Sequence, residues 1–316
     1  CIATSRGAEK AMSTTRYLGV DLGATNTKMV VVAIPDEGEP EIISVDSVPT
    51  GGEDGHDAVL ERLIAVFLAK GETEGPFAAF GMGTPGLSDA DGVVEIFTNL
   101  PGQWRGLRLR DRLEAGLQMP VTLINDARAF TLAEGRIGAG KGAPIVVCMT
   151  LGTGIGGGIM IDGELFVGAT GIAGEIAHQT VLPDGPVCGC GNYGCAEGLA
   201  RSDVLAAMAG KATVREVFAG LAEGDAECRR AVDTAAKYLG IAVANVVTFL
   251  GPHRIVIGGG IATAGDAILD PIREAAKRHV TLTSHDMINI VPAQLGSEAG
   301  AIGAALAAAD AHAVSR

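Results

Sequence analysis

Apolar and polar positions along the chain fall into two halves that begin alike. Residues 17–20 are apolar, Asp21-Leu22-Gly23-Ala24-Thr25-Asn26-Thr27-Lys28 interrupts them, and residues 29–34 are apolar again, which predicts strand, turn and returning strand. A third strand follows over 41–48. Val59, Leu63, Val66 and Phe67 recur at helical spacing and predict a helix over 56–70. A short buried strand over 77–82 ends in Gly83-Thr84-Pro85-Gly86, and Asp91-Gly92 marks a hairpin. A helix over 107–117 leads to a strand over 121–124, which ends in Asn125-Asp126 before a helix from Ala127.

The second half repeats the opening. A strand over 145–150 ends in Leu151-Gly152-Thr153-Gly154-Ile155-Gly156-Gly157-Gly158, and the returning strand turns at Asp162-Gly163, a strong hairpin dipeptide. Helices are predicted over 201–209, 213–221 and 226–250. A strand over 254–257 runs into Gly258-Gly259-Gly260, then come a helix over 266–278, a strand over 288–292 and an Ala-rich helix over 298–310. The repeat predicts two related α/β domains with a cleft between them. The first is expected over 16–126 and the second over 127–297, with the join between 126 and 142 and the closing helix packed back on the first half. Residues 1–15 are set aside as a disordered or expression-derived tail.

Composition narrows the function. Aromatic residues make up only 4% of the chain, so the cores must be built from Val, Ile, Leu and Ala. A net charge of −13 argues against nucleic acid, whose binding rests on Lys and Arg neutralising phosphates, and against an anionic membrane surface. The opening segment carries Arg6, Glu9, Lys10 and Arg16 with no apolar core, unlike a signal peptide. The uncharged run over 143–161 is long enough to span a bilayer, but its glycines and Pro144 favour strand, turn and strand. Cys1, Cys148 and Cys228 are scattered while Cys188, Cys190 and Cys195 cluster, which fits a reducing cytosol and one metal site better than a disulfide scaffold.

That cluster is the strongest chemical signal. Three cysteines and His178 make a ligand set suited to a tetrahedral, structural Zn²⁺, and Gly189, Gly191 and Gly194 allow the tight folding that convergence needs. The other reading is three buried thiols and a core histidine. Glu175 and Glu197 flank the cluster, either as site carboxylates or as surface charges. Asp126 reads as a catalytic carboxylate, as a helix N-cap, or as both. The segment Gly135-Arg136-Ile137-Gly138-Ala139-Gly140-Lys141-Gly142 nearly matches a P-loop, but it has Gly142 where Ser or Thr would hold Mg²⁺ and is read as an inter-domain turn. Gly152-Thr153-Gly154-Ile155-Gly156-Gly157 satisfies a dinucleotide fingerprint, yet a hairpin and not a helix follows it. The two Gly/Thr turns can instead offer N–H groups and hydroxyls to phosphate oxygens.

Asp21-x-Gly23-x-Thr25-x-x-Lys28, Asn125-Asp126, the Leu151–Gly158 turn, Glu175-x-x-His178 and Cys188-Gly-Cys-Gly-x-x-Gly-Cys-x-Glu197 together resemble the ROK family over nearly the whole chain. That family groups bacterial sugar kinases with sugar-responsive repressors on the two-domain actin/hexokinase-like (ribonuclease H-like) fold, and its ATP-dependent glucokinases are the nearest in pattern. The resemblance implies transfer of the ATP γ-phosphate to the 6-hydroxyl of a hexose, glucose first. Asp126 is then the base. Gly83, Asn99, Asn125, Glu175, His178 and Glu197 bind the sugar alongside it. Asp21 acts near Mg²⁺. Gly23, Thr25, Lys28, Gly152 and Thr153 serve the phosphates, and Gly258, Gly259 and Gly260 the adenosine. His178 would serve zinc with one ring nitrogen and sugar with the other. A cytoplasmic homodimer or homotetramer is implied too. Ala177 stands where the family has glycine. A positive φ there would strain it, and its place between two sugar-binding positions keeps amino sugars such as glucosamine or kanosamine as alternative substrates, with polyphosphate as an alternative donor. A regulator of this family would need a helix-turn-helix domain ahead of residue 17, for which sixteen residues are too few. A catalytically silent sugar binder is at odds with intact Asp21, Asp126 and both turns.

Overall fold

The computed structural model describes residues 13–97 and 100–315. These divide into two units: residues up to Ile124 together with those from Ala304, and Asn125–Gly303.

In the first unit, β1 (Thr14–Leu22), β2 (Asn26–Pro35) and β3 (Glu41–Pro49) form an antiparallel meander. β1 pairs in parallel with β4 (Phe80–Thr84), and β7 (Val121–Asn125) completes the order β3-β2-β1-β4-β7. The two-stranded β5 (Gly86–Ser88) and β6 (Val94–Phe97) stand apart. Val20, Val30, Val31 and Val32 are all buried, so the central strands are covered on both faces and read as continuous apolar runs. α1 (His56–Glu74) lays Val59, Leu63 and Phe67 into this core, where Phe67 tilts on Phe80 at 5.0 Å between ring centroids. α2 (Leu109–Leu117) adds Leu109 and Leu113.

The second unit opens on α3 (Asp126–Arg136). Its sheet joins β8 (Ile145–Leu151), β9 (Ile155–Ile161) and β10 (Glu164–Leu165) as an antiparallel meander; β8 then pairs in parallel with β11 (Arg254–Gly258), and β11 with β12 (Ile290–Pro292). The order β10-β9-β8-β11-β12 repeats that of the first sheet: three antiparallel strands, then a parallel neighbour. The duplication expected from the two Gly/Thr turns is therefore present in the topology. Short α4 (Ala196–Ala200), α5 (Ser202–Met208) and α6 (Val214–Ala222) precede the long α7 (Ala226–Leu250) and α8 (Asp266–His279). The aliphatic core holds Val147, Met149, Leu239, Val243, Ile255, Ile257 and Ile272. The last helix, α9 (Ala299–Val314), contains the second unit boundary.

Fully buried Glu134, near the end of α3, accepts from the N–H groups of Ala139 at 2.8 Å, Gln294 at 2.9 Å and Leu295 at 2.7 Å. A carboxylate acceptor suits a dry site with three donors to satisfy.

The boundaries differ in detail from the sequence reading. The first break falls between Ile124 and Asn125, not after Asp126, because Asn125 caps α3 and belongs with that helix. The second falls at Gly303/Ala304 and not before residue 298. The Gly135–Gly142 segment accordingly joins α3 to β8 inside the second unit and is not an inter-domain turn. The strand predicted over 77–82 sits at Phe80–Thr84, since β1 pairing carries it forward to Gly83 opposite Asp21. Among the described residues, no helix is long and apolar enough to cross a membrane.

Candidate active site and metal centre

Asn125, at the junction of β7 and α3, has extended backbone, and its Oδ1 accepts from the N–H groups of Ala127 at 3.1 Å and Arg128 at 3.2 Å. It is therefore the N-cap, the role the sequence left open for Asp126. Asp126 begins the helix. Its Oδ1 accepts from Ala127 N–H at 2.8 Å and from Asn125 Nδ2 at 3.1 Å, so the carboxylate is oriented by its neighbours and sits at the positive end of α3.

Glu175 and His178 bracket a 3₁₀ turn, Ile176–His178, closed by His178 N–H donating to the Glu175 carbonyl at 3.1 Å. Ala177 is buried inside this turn and is not among the positive-φ residues, so the alanine carries no backbone strain there.

His178, Cys188, Cys190 and Cys195 present ligand atoms that all lie within 4.8 Å of one another. The Cys188 Sγ–His178 Nδ1 and Cys190 Sγ–Cys195 Sγ distances are both 3.7 Å. A tetrahedral Zn²⁺ with ordinary bond lengths requires about 3.8 Å between sulfurs and about 3.6 Å between sulfur and nitrogen. The residues therefore fit zinc, with Nδ1 as the histidine ligand and Nε2 left to carry the proton. The three thiols differ in their surroundings. Burial, with Cys190 and Glu197 nearby, pushes Cys188 up to about 12. Burial and the Cys190 sulfur also raise Cys195. For Cys190 burial acts upward too, but the Asn192 N–H and the adjacent thiols outweigh it and leave that thiol low. Metal binding here would have to displace the Cys188 and Cys195 protons, so zinc affinity should depend on pH.

Local backbone explains the convergence. Gly194 has φ +64°, and a Cβ there would run into the Leu182 carbonyl oxygen, so only glycine lets the loop close. Cys195 is the N-cap residue of α4, and Glu197 lies in that helix's first turn. Glu197 Oε2 accepts from Ile155 N–H at 2.9 Å, and its Oε1 accepts from the Cys188 thiol at 3.4 Å. One carboxylate thus ties the cysteine loop to the β8–β9 turn that carries Gly152 and Thr153. Beside that turn, Gly258 lies opposite Thr150 in the sheet register, and Gly259, at φ +88°, brings its backbone against Leu151, where a Cβ would come within 2.5 Å of the carbonyl oxygen. Gly152, Thr153, Gly258, Gly259 and Gly260 therefore gather at the C-terminal ends of the adjacent parallel strands β8 and β11.

In the first unit, Asp21 lies opposite Lys28 on one side and Gly83 on the other. Burial pushes its carboxyl up to about 6, with Lys28 partly opposing. The turn carrying Gly23 and Thr25 is held by Thr50, which sequence reasoning missed: its Oγ1 donates to the Gly23 carbonyl at 2.6 Å, and its N–H donates to the Thr25 carbonyl at 2.9 Å. Asn99 lies outside the described residues. Arg128 was also missed; it reaches Gly171 and Glu175 from α3.

The repeated sheet topology is that of an α/β protein of the actin/hexokinase-like class. The chain belongs to the ROK family, whose model matches residues 17–311. It is 36% identical over 321 residues to a glucokinase of Halalkalibacterium halodurans, covering 92% of this chain and 94% of that one. Among solved structures it resembles a ROK hexokinase from Thermus thermophilus (35% identity, TM-score 0.79, 95% of this chain and 99% of that). It also resembles a ROK family glucokinase from Streptomyces griseus in complex with glucose and AMPPNP (30% identity, TM-score 0.76, 93% of this chain and 99% of that).

Proposed function

We propose that this protein is an ATP-dependent sugar kinase that phosphorylates the 6-hydroxyl of a hexose, with glucose as the preferred acceptor. The observation that carries the reading is Asp126, a carboxylate on the first turn of α3 that the N-cap residue Asn125 orients through its Nδ2. As the sugar oxygen attacks the γ-phosphorus, the bond to the β–γ bridging oxygen breaks, ADP leaves, and Asp126 accepts the hydroxyl proton. Glu175, Glu197 and the Nε2–H of His178 take sugar hydroxyls, and Gly83 and Asn99 are read in the same role. Asn125 contributes by orienting Asp126.

The Gly23–Thr25 and Gly152–Thr153 turns are read as phosphate contacts, with Lys28 beside the first, and Gly258 to Gly260 as the adenosine side. Asp21 is the residue for Mg²⁺: a carboxyl raised by burial gains its charge back beside a divalent cation. When bound, Mg²⁺ neutralises phosphate charge. His178, Cys188, Cys190 and Cys195 would hold a structural zinc that shapes the sugar wall without activating water. A reducing cytoplasm suits these thiols, and a homodimer or homotetramer is the assembly expected of such a kinase.

The test is Asp126→Ala in a coupled ADP-release assay with glucose, mannose, glucosamine, kanosamine and the N-acetyl sugars. The variant should melt like wild type, still bind sugar and lose at least about a thousandfold in kcat. Near-normal turnover would remove Asp126 from the role.

A further inference from the structure

Arg128 lies two residues past Asp126 on α3. Its side chain is only 15% exposed. The guanidinium Nη2 donates to the Gly171 carbonyl and lies 3.8 Å from Glu175 Oε1. Its Nε is buried without an acceptor. A desolvated cation with a spare donor is a poor solution for stability alone, which suggests that the placement serves the site.

The segment it reaches is pliant by sequence. Gly168, Gly171 and Gly174 all have positive φ, and Gly171 N–H to Gly168 carbonyl, at 3.4 Å, and Ala173 N–H to Val167 carbonyl, at 3.1 Å, are the bonds that fold it on itself. Arg128 adds a tie from α3 to this loop and to the glutamate at its end. The residues proposed above to meet the acceptor include the acids Asp126, Glu175 and Glu197, a set whose charge would draw in a protonated amine.

We propose that Arg128 is a positioning and selectivity residue: it holds Glu175 toward the acceptor and offsets its charge, so that the site takes neutral hexoses in preference to protonated amino sugars. This rests on the sugar-kinase reading. A carboxylate paired with a guanidinium still accepts hydrogen bonds from hydroxyls, whereas its attraction for an ammonium group is largely cancelled.

The experiment is steady-state kinetics of the full chain with ATP and glucose, glucosamine or N-acetylglucosamine as acceptor. In Arg128→Gln the KM for glucose should rise about tenfold with kcat changed less, and the glucosamine-to-glucose ratio of kcat/KM should rise about tenfold. The ratio for neutral N-acetylglucosamine should stay at its wild-type value, which separates charge from a merely loosened pocket. Arg128→Lys, which keeps the charge but not the planar fork, should retain the wild-type glucosamine ratio while losing part of the glucose affinity. Glu175→Gln, which leaves the guanidinium unopposed, should depress the glucosamine ratio below wild type, an arm that stands even if Arg128→Gln does not fold. An unchanged glucosamine ratio in Arg128→Gln or Glu175→Gln, or an N-acetylglucosamine ratio rising in step, overturns the proposal. A wild-type chain that releases no ADP with any sugar defeats the kinase reading itself, and this proposal with it.

Discussion

Asp21 gives the sharpest test of how the first unit is built. Its carboxyl is pushed from 3.8 to about 6, burial acting first and Lys28 opposing. Between those values the folded chain holds a proton that the unfolded chain has released. Stability therefore falls as pH rises through that window, and the full penalty stands above about 6. A displacement of this size corresponds to about 3 kcal/mol. Asp21 keeps some surface exposed, and solvent screening reduces the expected penalty to about 1–2 kcal/mol. Asp21→Asn preserves shape and removes the charge. It should exceed wild type in stability by that amount at pH 7.5, a gain of a few degrees in melting temperature for a unit of this size, and the gap should shrink to roughly a third by pH 4.5. Melting curves of both proteins across pH 4.5 to 8, with a carbon-detected titration of the Asp21 side chain, make the measurement. A gap that does not vary with pH, or a wild type more stable than the variant at pH 7.5, would refute the reasoning. The same variant should lose most of its activity, so the stabilising change and the damaging one coincide, as at sites where function is held against stability.

Three further outcomes follow from the second unit. Elemental analysis should find about one zinc per chain, and Cys190→Ala should lose metal and thermal stability together; a fully active metal-free preparation would contradict the zinc assignment. Gly194→Ala, with its Cβ directed at the Leu182 carbonyl, should lower zinc content even though all four ligands remain. Glu134→Ala orphans the N–H groups of Ala139, Gln294 and Leu295, and should cost about 3 kcal/mol or more in chemical denaturation without a direct effect on sugar affinity.

Most elements were legible because the chain's periodicities are clean. α7 was predicted at its observed limits, residues 226–250, because its apolar face repeats at helical spacing without interruption and Gly251 ends it in the left-handed conformation. The doubled architecture was legible from two Gly/Thr turns, each between apolar runs. β10 was legible only as the far arm of the Asp162-Gly163 hairpin, and α4 was not legible, since five residues are too short for a period to register. The cysteine cluster announced itself through ligand type. Thr50 and Arg128 did not, because they act on backbone carbonyls 27 and 43 residues away, and nothing in a lone threonine or arginine marks such a partner. The division of labour between Asn125 and Asp126 likewise turned on one backbone conformation that composition does not encode.

Glu134 has a consequence for biosynthesis. Its partners at Gln294 and Leu295 lie 160 and 161 positions downstream. In the first unit, Tyr17 Oη meets His312 Nδ1 at 3.1 Å, nearly the full chain apart. While the ribosome is still translating, α3 therefore carries a dry carboxylate short of its donors, and the amino-terminal sheet waits for its last helix. The second unit therefore cannot satisfy Glu134 until residue 295 has left the exit tunnel, nor the first join Tyr17 to His312 until residue 312 has, so both finish packing late in translation, when exposed apolar surface would favour binding by holding chaperones.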